Sequence, residues 1–153
     1  FLDADTLIEY DFLRKAIDEI KERKIKVAGC YLYPDSKNIA DRIFFLLFRK
    51  YIKYLHEHIG VNGCCIFILK SLHSKIKGFD ERIKVSEDFE YTKRLRKLAR
   101  INMLRNTRIY TSVRRFEKYG RLMTGLKILF IGIYTLFFGN ITNDFFRYRF
   151  NED

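Results

Sequence analysis

The sequence predicts an α/β fold, on two observations. Short apolar runs rich in Ile, Val, Phe and Tyr recur at 25–33, 64–69, 101–105 and 108–113, and read as strands. Between them lie longer segments whose apolar residues return at spacings of three and four, and these read as helices. Strands alternating with helices build α/β layers. The 153 residues bound the chain to one ordinary domain at most, and 48% hydrophobic residues are enough for a real core.

The elements follow in order. Phe1 and Leu2 read as the end of a buried strand, central in its sheet. Thr6 is placed to cap a helix over 7–23, with Tyr10, Leu13, Ile17 and Ile20 at helical spacing and a basic run at 21–24. "IKVAGCYLY" (25–33) reads as one strand that stops at Pro34-Asp35. Ile39, Ile43, Leu46, Leu47, Tyr51 and Tyr54 mark a second helix. Its "IFFLLF" (43–48) is apolar all round, which calls for burial or an apolar partner. Gly60 and Gly63 bracket a turn before the buried strand "CCIFIL" (64–69). A loop runs through "GFDERIKV" (78–85). Ser86 is placed to cap "SEDFEYTKRLRKL" (86–98), with Tyr91, Leu95 and Leu98 facing inward. Two short strands, "RRFEKYGRL" (114–122) and the apolar stretch 126–141 complete the chain.

Thirty Lys and Arg against nineteen Asp and Glu give a net charge of +11, which directs the surface toward an anionic partner. A nucleic-acid binder should set its cations beside exposed aromatics. Here the aromatics fall mostly within apolar runs, which disfavours nucleic acid. Cys30, Cys64 and Cys65 form neither a disulfide framework nor a C-x-x-C metal motif, and fit a reducing, cytoplasmic setting. The uninterrupted apolar run Ile128–Phe138 has 11 residues, whereas a spanning helix needs about twenty. An interfacial helix on an anionic membrane face, aided by Arg147 and Arg149, and a plain core helix both fit that length.

Asp3 and Asp5 in "FLDADT" place two carboxylates near one point, a donor set suited to a hard divalent cation. The same residues also serve as a loop-to-helix cap. Glu87 and Asp88 in a helix's first turn complement its dipole, or supply a general base. Arg114-Arg115 is either solvated surface or an anion clamp. His56 and His58 stand two apart, so a helix does not set them on one face as a metal pair.

Taken in order, "FLDADT" (1–6), "GCCIFILKS" (63–71), "GFDE" (78–81), "SEDFEYTKRL" (86–95) and "TSVRRFEKYG" (111–120) resemble family 2 glycosyltransferases of the GT-A fold. The resemblance implies a Rossmann-like, mixed-sheet domain. It also implies transfer of a sugar, with inversion, from a nucleotide-sugar donor to an acceptor hydroxyl. On the family's pattern Asp5 and Asp3 serve Mn²⁺ or Mg²⁺, with Asp5 the direct ligand and Asp3 helping through the ribose or the metal. Asp88 is the base and Glu87 its orienter. Gly78, Phe79 and Asp80 shape the acceptor loop, and Arg114 and Arg115 reach the diphosphate.

Residues 1–120 then form the metal- and acceptor-binding half, with the nucleotide-binding half expected upstream, and the chain alone is expected to be inactive. Residues 121–153 form an apolar helix and basic tail that touch the inner face of a membrane or pack as core. The acceptor stays open among lipid-linked, protein, small-molecule and polysaccharide-precursor classes. Lys77 stands where the family's loop usually begins with glycine, and Glu90 where an Asp is common. The chain has no Trp, hence no acceptor signature of processive synthases, which implies single transfers. A basic membrane- or nucleic-acid-binding module without catalysis is the alternative.

Overall fold

The computed structural model describes residues 1–83 and 86–138. The fold is mixed α/β and about half helical, in the order β1 (Thr6–Ile8), α1 (Phe12–Glu22), β2 (Val27–Gly29), β3 (Leu32–Pro34), α2 (Ile39–Ile59), β4 (Ile66–Ile68), α3 (Lys70–Lys75), α4 (Glu87–Arg96), β5 (Ile101–Met103), β6 (Ile109–Thr111), α5 (Arg114–Tyr119) and α6 (Arg121–Phe138). Two small sheets form among them, ordered β1-β6-β3 and β4-β2-β5. Each is mixed: β2 runs antiparallel to β4 and parallel to β5, and β6 runs antiparallel to β1 and parallel to β3.

The single strand expected over 25–33 is two strands in different sheets. β2 is wholly buried, and its Gly29 carbonyl accepts from Leu104 N–H at 3.0 Å. No side chain fits at Gly29, because a Cβ there would lie 2.7 Å from Val61 Cβ. Cys30 and Tyr31 then carry the chain across to β3, beside β6. Cys30 and Cys65 continue the β2–β4 register into the core, and the buried Cys30 thiol donates to Cys65 Sγ at 3.6 Å.

Phe1 and Leu2 are not a central buried strand. Leu2 makes an isolated antiparallel bridge to Cys65, outside β4, and Phe1 and Leu2 are each about half exposed. Thr6 lies in β1 rather than capping a helix, and α1 starts only at Phe12. The inward face of α1 is also rotated by one residue from the expected one. Phe12, Ala16 and Glu19 are buried, whereas Tyr10, Leu13 and Ile17 are exposed. The cause is Glu19. Its carboxylate accepts from the backbone N–H groups of Arg105 and Asn106 at 2.9 Å and pairs with Arg23, so burying it satisfies a loop. A buried carboxylate with this many donors is compensated.

α2 is capped by Asn38, whose side chain accepts from Ala40 N–H at 2.9 Å. It buries Phe45 and Ile52 and leaves Ile39, Ile43, Leu46, Leu47 and Tyr54 exposed. Two core clusters result. One gathers Phe12, Phe45, Leu104, Ile109 and Phe116; the other gathers Ile52, Ile66, Tyr91, Leu95 and Ile101. Leu98 lies past the end of α4 and is partly exposed, against expectation.

α6 packs on α2 and α5 through Thr124, Ile128 and Ile131, and Gly125 lets Phe44 approach closely. Leu122, Met123, Leu126 and Leu129 are exposed on it. Among the described residues no helix is long and apolar enough to cross a membrane. Arg147, Arg149 and the rest of the basic tail lie outside the described residues, as does the side chain of His58.

Candidate functional site

Asp3 is placed by the pairing of residues 1–3 with the start of β4. Its N–H donates to the Cys64 carbonyl at 3.1 Å, while Phe1 and Ile66 exchange backbone hydrogen bonds at 2.9 and 3.0 Å. Asp3, Ala4 and Asp5 then form an exposed turn, closed by Thr6 N–H to the Asp3 carbonyl at 3.2 Å. Two carboxylates therefore project from a tight turn between one sheet's edge and the next sheet's first strand.

Asp88 comes to the same place from α4. Its Oδ2 accepts from Gly63 N–H at 2.5 Å and its Oδ1 from Phe89 N–H at 2.9 Å. Burial pushes its carboxyl up to about 7, with the neighbouring Glu87 charge adding to the rise and the two backbone donors opposing it. Ser86 sits at the N-cap position of α4 in the left-handed region, φ 62°, and its side chain makes no capping hydrogen bond, contrary to expectation.

Cys64 joins these parts. The Asp3 carboxylate, and after it the charges of Asp88 and Asp5, act on its thiol. Burial, then Asp3, Asp88 and Asp5 in that order, push it up to about 12. Cys64 is thus a neutral donor and not a thiolate nucleophile. Sequence reasoning missed this role, although Cys64 lies within the "GCCIFILKS" stretch. Two buried oxygens beside the cluster, Thr6 Oγ1 and Asn62 Oδ1, have no hydrogen-bond partner. Each is adjacent in sequence to a cluster residue, Asp5 or Gly63, and buried polar atoms of this kind mark places a polar ligand can satisfy.

The 78–80 loop is anchored on α4. Phe79 stacks on Tyr91 with centroids 4.0 Å apart, and Phe1 packs edge-on to Phe79 at 5.3 Å. Tyr91 Oη and His73 Nδ1 share a hydrogen bond of 2.7 Å. Asp80 is spoken for locally: Arg82 grips both its oxygens at 2.9 and 2.8 Å, which holds its carboxyl down at about 2. Lys77 and Gly78 terminate α3. Lys77 N–H donates to the Ser74 carbonyl and Gly78 N–H to the His73 carbonyl, the paired bonds of a Schellman motif. Both residues are left-handed, at φ 61° and 74°. Lysine therefore adopts the conformation that glycine takes at no steric cost.

Arg114 and Arg115 open α5 and are exposed. The register pairs Thr6 with Thr111, so the β6 end that leads into α5 lies next to the residue after Asp5. Pro34 also pairs with Thr111 there, from β3.

Asp3 and Asp5 would be the residues to hold a divalent cation. Two exposed carboxylates in one turn suit Mg²⁺ or Mn²⁺, which keep waters and take the rest of their oxygens from a phosphate. Among the described residues no three His, Cys, Asp or Glu side chains converge as a ready-made cage. Comparison with family models, curated proteins and solved structures finds no match to this chain.

Proposed function

We propose that this chain carries the acceptor and metal side of an inverting glycosyltransferase of the GT-A kind, which moves a sugar from a nucleotide-sugar to an acceptor hydroxyl. One observation carries the reading: the adjacent residues Gly63 and Cys64 hold Asp88 and the Asp3–Asp5 turn side by side, Gly63 N–H donating to the Asp88 carboxylate and the Cys64 carbonyl accepting from Asp3 N–H. Such a transfer needs a base on the attacking side and charge compensation on the leaving side. Asp88 has the traits of the base. Its carboxyl is raised to about 7, so near neutral pH it is both available and basic enough to take the acceptor's proton. Gly63 N–H fixes one of its oxygens, and burial, with the Glu87 charge second, keeps its proton affinity high.

Mn²⁺ or Mg²⁺ held by Asp5 and Asp3 would supply the positive charge that a departing diphosphate requires. Arg114 and Arg115, brought to the Asp5 end by the β1–β6 register, are suited to the same phosphates. Phe79, stacked on Tyr91 and partly buried, and Gly78 belong to the loop that would shape the acceptor side. Asp80 shapes the loop through Arg82 rather than touching substrate.

The test is Mn²⁺ binding to the purified chain, followed by electron paramagnetic resonance. Mn²⁺ should bind, and Asp5→Asn should remove the binding while circular dichroism stays unchanged. Unaltered Mn²⁺ binding by Asp5→Asn would refute the metal assignment. In any assay of transfer, Asp88→Asn should cut turnover by about 10²–10⁴, with activity in the native protein rising through about pH 7.

A peripheral position at the cytoplasmic face of a membrane is part of the same proposal. The exposed apolar side chains of α6, Leu122, Met123, Leu126 and Leu129, favour it. Release of the protein from membranes by carbonate or high salt would agree with it, and complete retention would not.

A further inference from the structure

A second concave site lies at the other edge of the β4-β2-β5 sheet. The carboxylate cluster sits at the β4 edge, whereas a cavity of about 760 Å³ opens beside β5, β3 and the middle of α2. Six Arg and Lys side chains line it, opposed by one carboxylate, that of Glu57. None of the residues proposed above for catalysis or metal binding lines it.

The charges divide into two groups. Arg23 is engaged by Glu19, and Arg100 grips Glu57 at 2.5 Å. Arg49, Lys50, Lys53 and Arg105 have no carboxylate partner among the described residues. On α2, Arg49 and Lys53 are four apart and Lys50 and Lys53 three apart, spacings at which like charges destabilise a helix. A convex solvated face tolerates that readily. Here the repelling cations line one concavity, where low-dielectric walls concentrate their field.

One wall is also built. Tyr33 has the Arg49 guanidinium over its ring at 4.1 Å and that of Arg108 at 5.5 Å, and it packs on Tyr110 with centroids 5.8 Å apart. Arg49 additionally donates to the Leu32 carbonyl at 3.4 Å. An Arg fork, held in place by an aromatic ring, beside mobile Lys ammoniums is the donor set that recognises phosphate oxygens. The volume falls within the range of small-ligand sites, about 300–1,000 Å³.

We infer that this cavity binds a multiply charged phosphate group, with Arg49, Lys50, Lys53 and Arg105 as its donors. The phosphate belongs either to a soluble phosphate ester or to a lipid headgroup, and the two share this chemistry. The site is independent of the proposed transferase centre, so it is testable with that centre silenced.

The test is calorimetric titration of the full chain with pyrophosphate at low ionic strength in EDTA, which keeps metal away from Asp3 and Asp5. Saturable single-site binding is expected. The double variant Lys50→Gln/Arg105→Gln should weaken it by at least about tenfold, as the loss of two phosphate contacts does. Neither side chain has an ion pair to lose in the described structure, so folding should survive, and Lys50→Arg should retain binding. Lys37→Gln/Lys97→Gln removes the same charge outside the cavity and should change affinity little.

Vesicles of phosphatidylcholine with phosphatidic acid then separate the sources. Capture by them that pyrophosphate reverses and the double variant lacks assigns the phosphate to lipid. Binding of pyrophosphate without capture assigns it to a soluble ester. Equal losses in the two double variants would reduce the effect to diffuse charge and overturn the proposal, as would failure of both probes to bind.

Discussion

Gly63 and Asp88 fit together with no space between them. The Gly63 N–H donates to Asp88 Oδ2 at 2.5 Å, and a Cβ added at Gly63 would stand 3.1 Å from Asp88 Cβ. The turn before β4 and the start of α4 thus position one carboxylate jointly.

Gly63→Ala should therefore act on Asp88 and hardly elsewhere. The added methyl has to displace the Asp88 side chain by a few tenths of an ångström and stretch the Gly63 hydrogen bond. A loss of about 1 kcal/mol is expected, the usual net worth of one such bond. Urea denaturation measures it, and the Asp88 carboxyl carbon, followed by NMR against pH, should titrate at a different pH from wild type. An unchanged titration would mean that Gly63 does not hold the carboxylate.

Asp88 also makes a pH signature. An ordinary Asp titrates near 3.8, and this one is raised to about 7. Between those values the folded chain holds a proton that the unfolded chain has released, so stability falls as pH rises from about 4 to 7 and is level above it. Asp88→Asn removes that slope. Subtracting the variant's stability from the wild type's across pH 4–8 should leave a decline of about 1–3 kcal/mol, less than the full linkage value because the residue keeps some contact with solvent. Parallel profiles would place the carboxyl in an unremarkable environment.

Lys77 predicts a gain of stability. It occupies a left-handed position at φ 61°, where a Cβ costs about 1 kcal/mol or more. Lys77→Gly should raise stability by about 0.5–1 kcal/mol, the strain relieved less the entropy of an added glycine. Gly78→Ala, at φ 74°, should lower it by a similar amount. Thermal unfolding of both variants checks the pair, and a destabilising Lys77→Gly would contradict the strain.

Asp41 and Arg121 form a latch between α2 and α6. The buried Asp41 carboxylate accepts from Arg121 Nε at 2.8 Å and Nη2 at 3.3 Å, and from Ser36 Oγ at 2.7 Å. Arg121→Met leaves that buried charge with the hydroxyl alone and should cost about 2–4 kcal/mol, toward the lower end for a partly exposed arginine. Asp41→Asn/Arg121→Met should cost less than the two single changes summed. Strict additivity in a double-mutant cycle would deny the coupling.

Much of this was legible in the sequence, for reasons that differ by residue. The α/β alternation and α4, with Tyr91 and Leu95 inward, follow from periodicity alone. The approach of Asp3 and Asp88 through the adjacent residues Cys64 and Gly63 has no signal in the sequence, because nothing local ties residue 3 to residue 88. Other features depend on tertiary partners. Glu19 rotates α1 by accepting from a loop 86 residues away, and so exposes Leu13 and Ile17. β1 is three residues long and offers no alternation to detect. The strand at 25–33 divides because its halves find different neighbours, which no pattern of apolar residues announces. The cationic cavity was hidden for the same reason: its charges come from the residue after α1, from α2 and from the region after α4.

α2 meets each of these features in turn. Its first turn carries Asp41, its middle the cavity cations, and Gly60 ends it just before Gly63. Its 21 residues make a rod of about 31 Å. Exposed side chains outside the cavity are free to vary along it, but its length is not. Deleting one residue near the middle would turn everything beyond it by roughly 100° and draw it back by about 1.5 Å. The latch would keep its place while the Gly63 turn lost its alignment with Asp88. Across descendants of this sequence, drift along α2 should appear as substitutions, and insertions or deletions should be confined to its flanking loops.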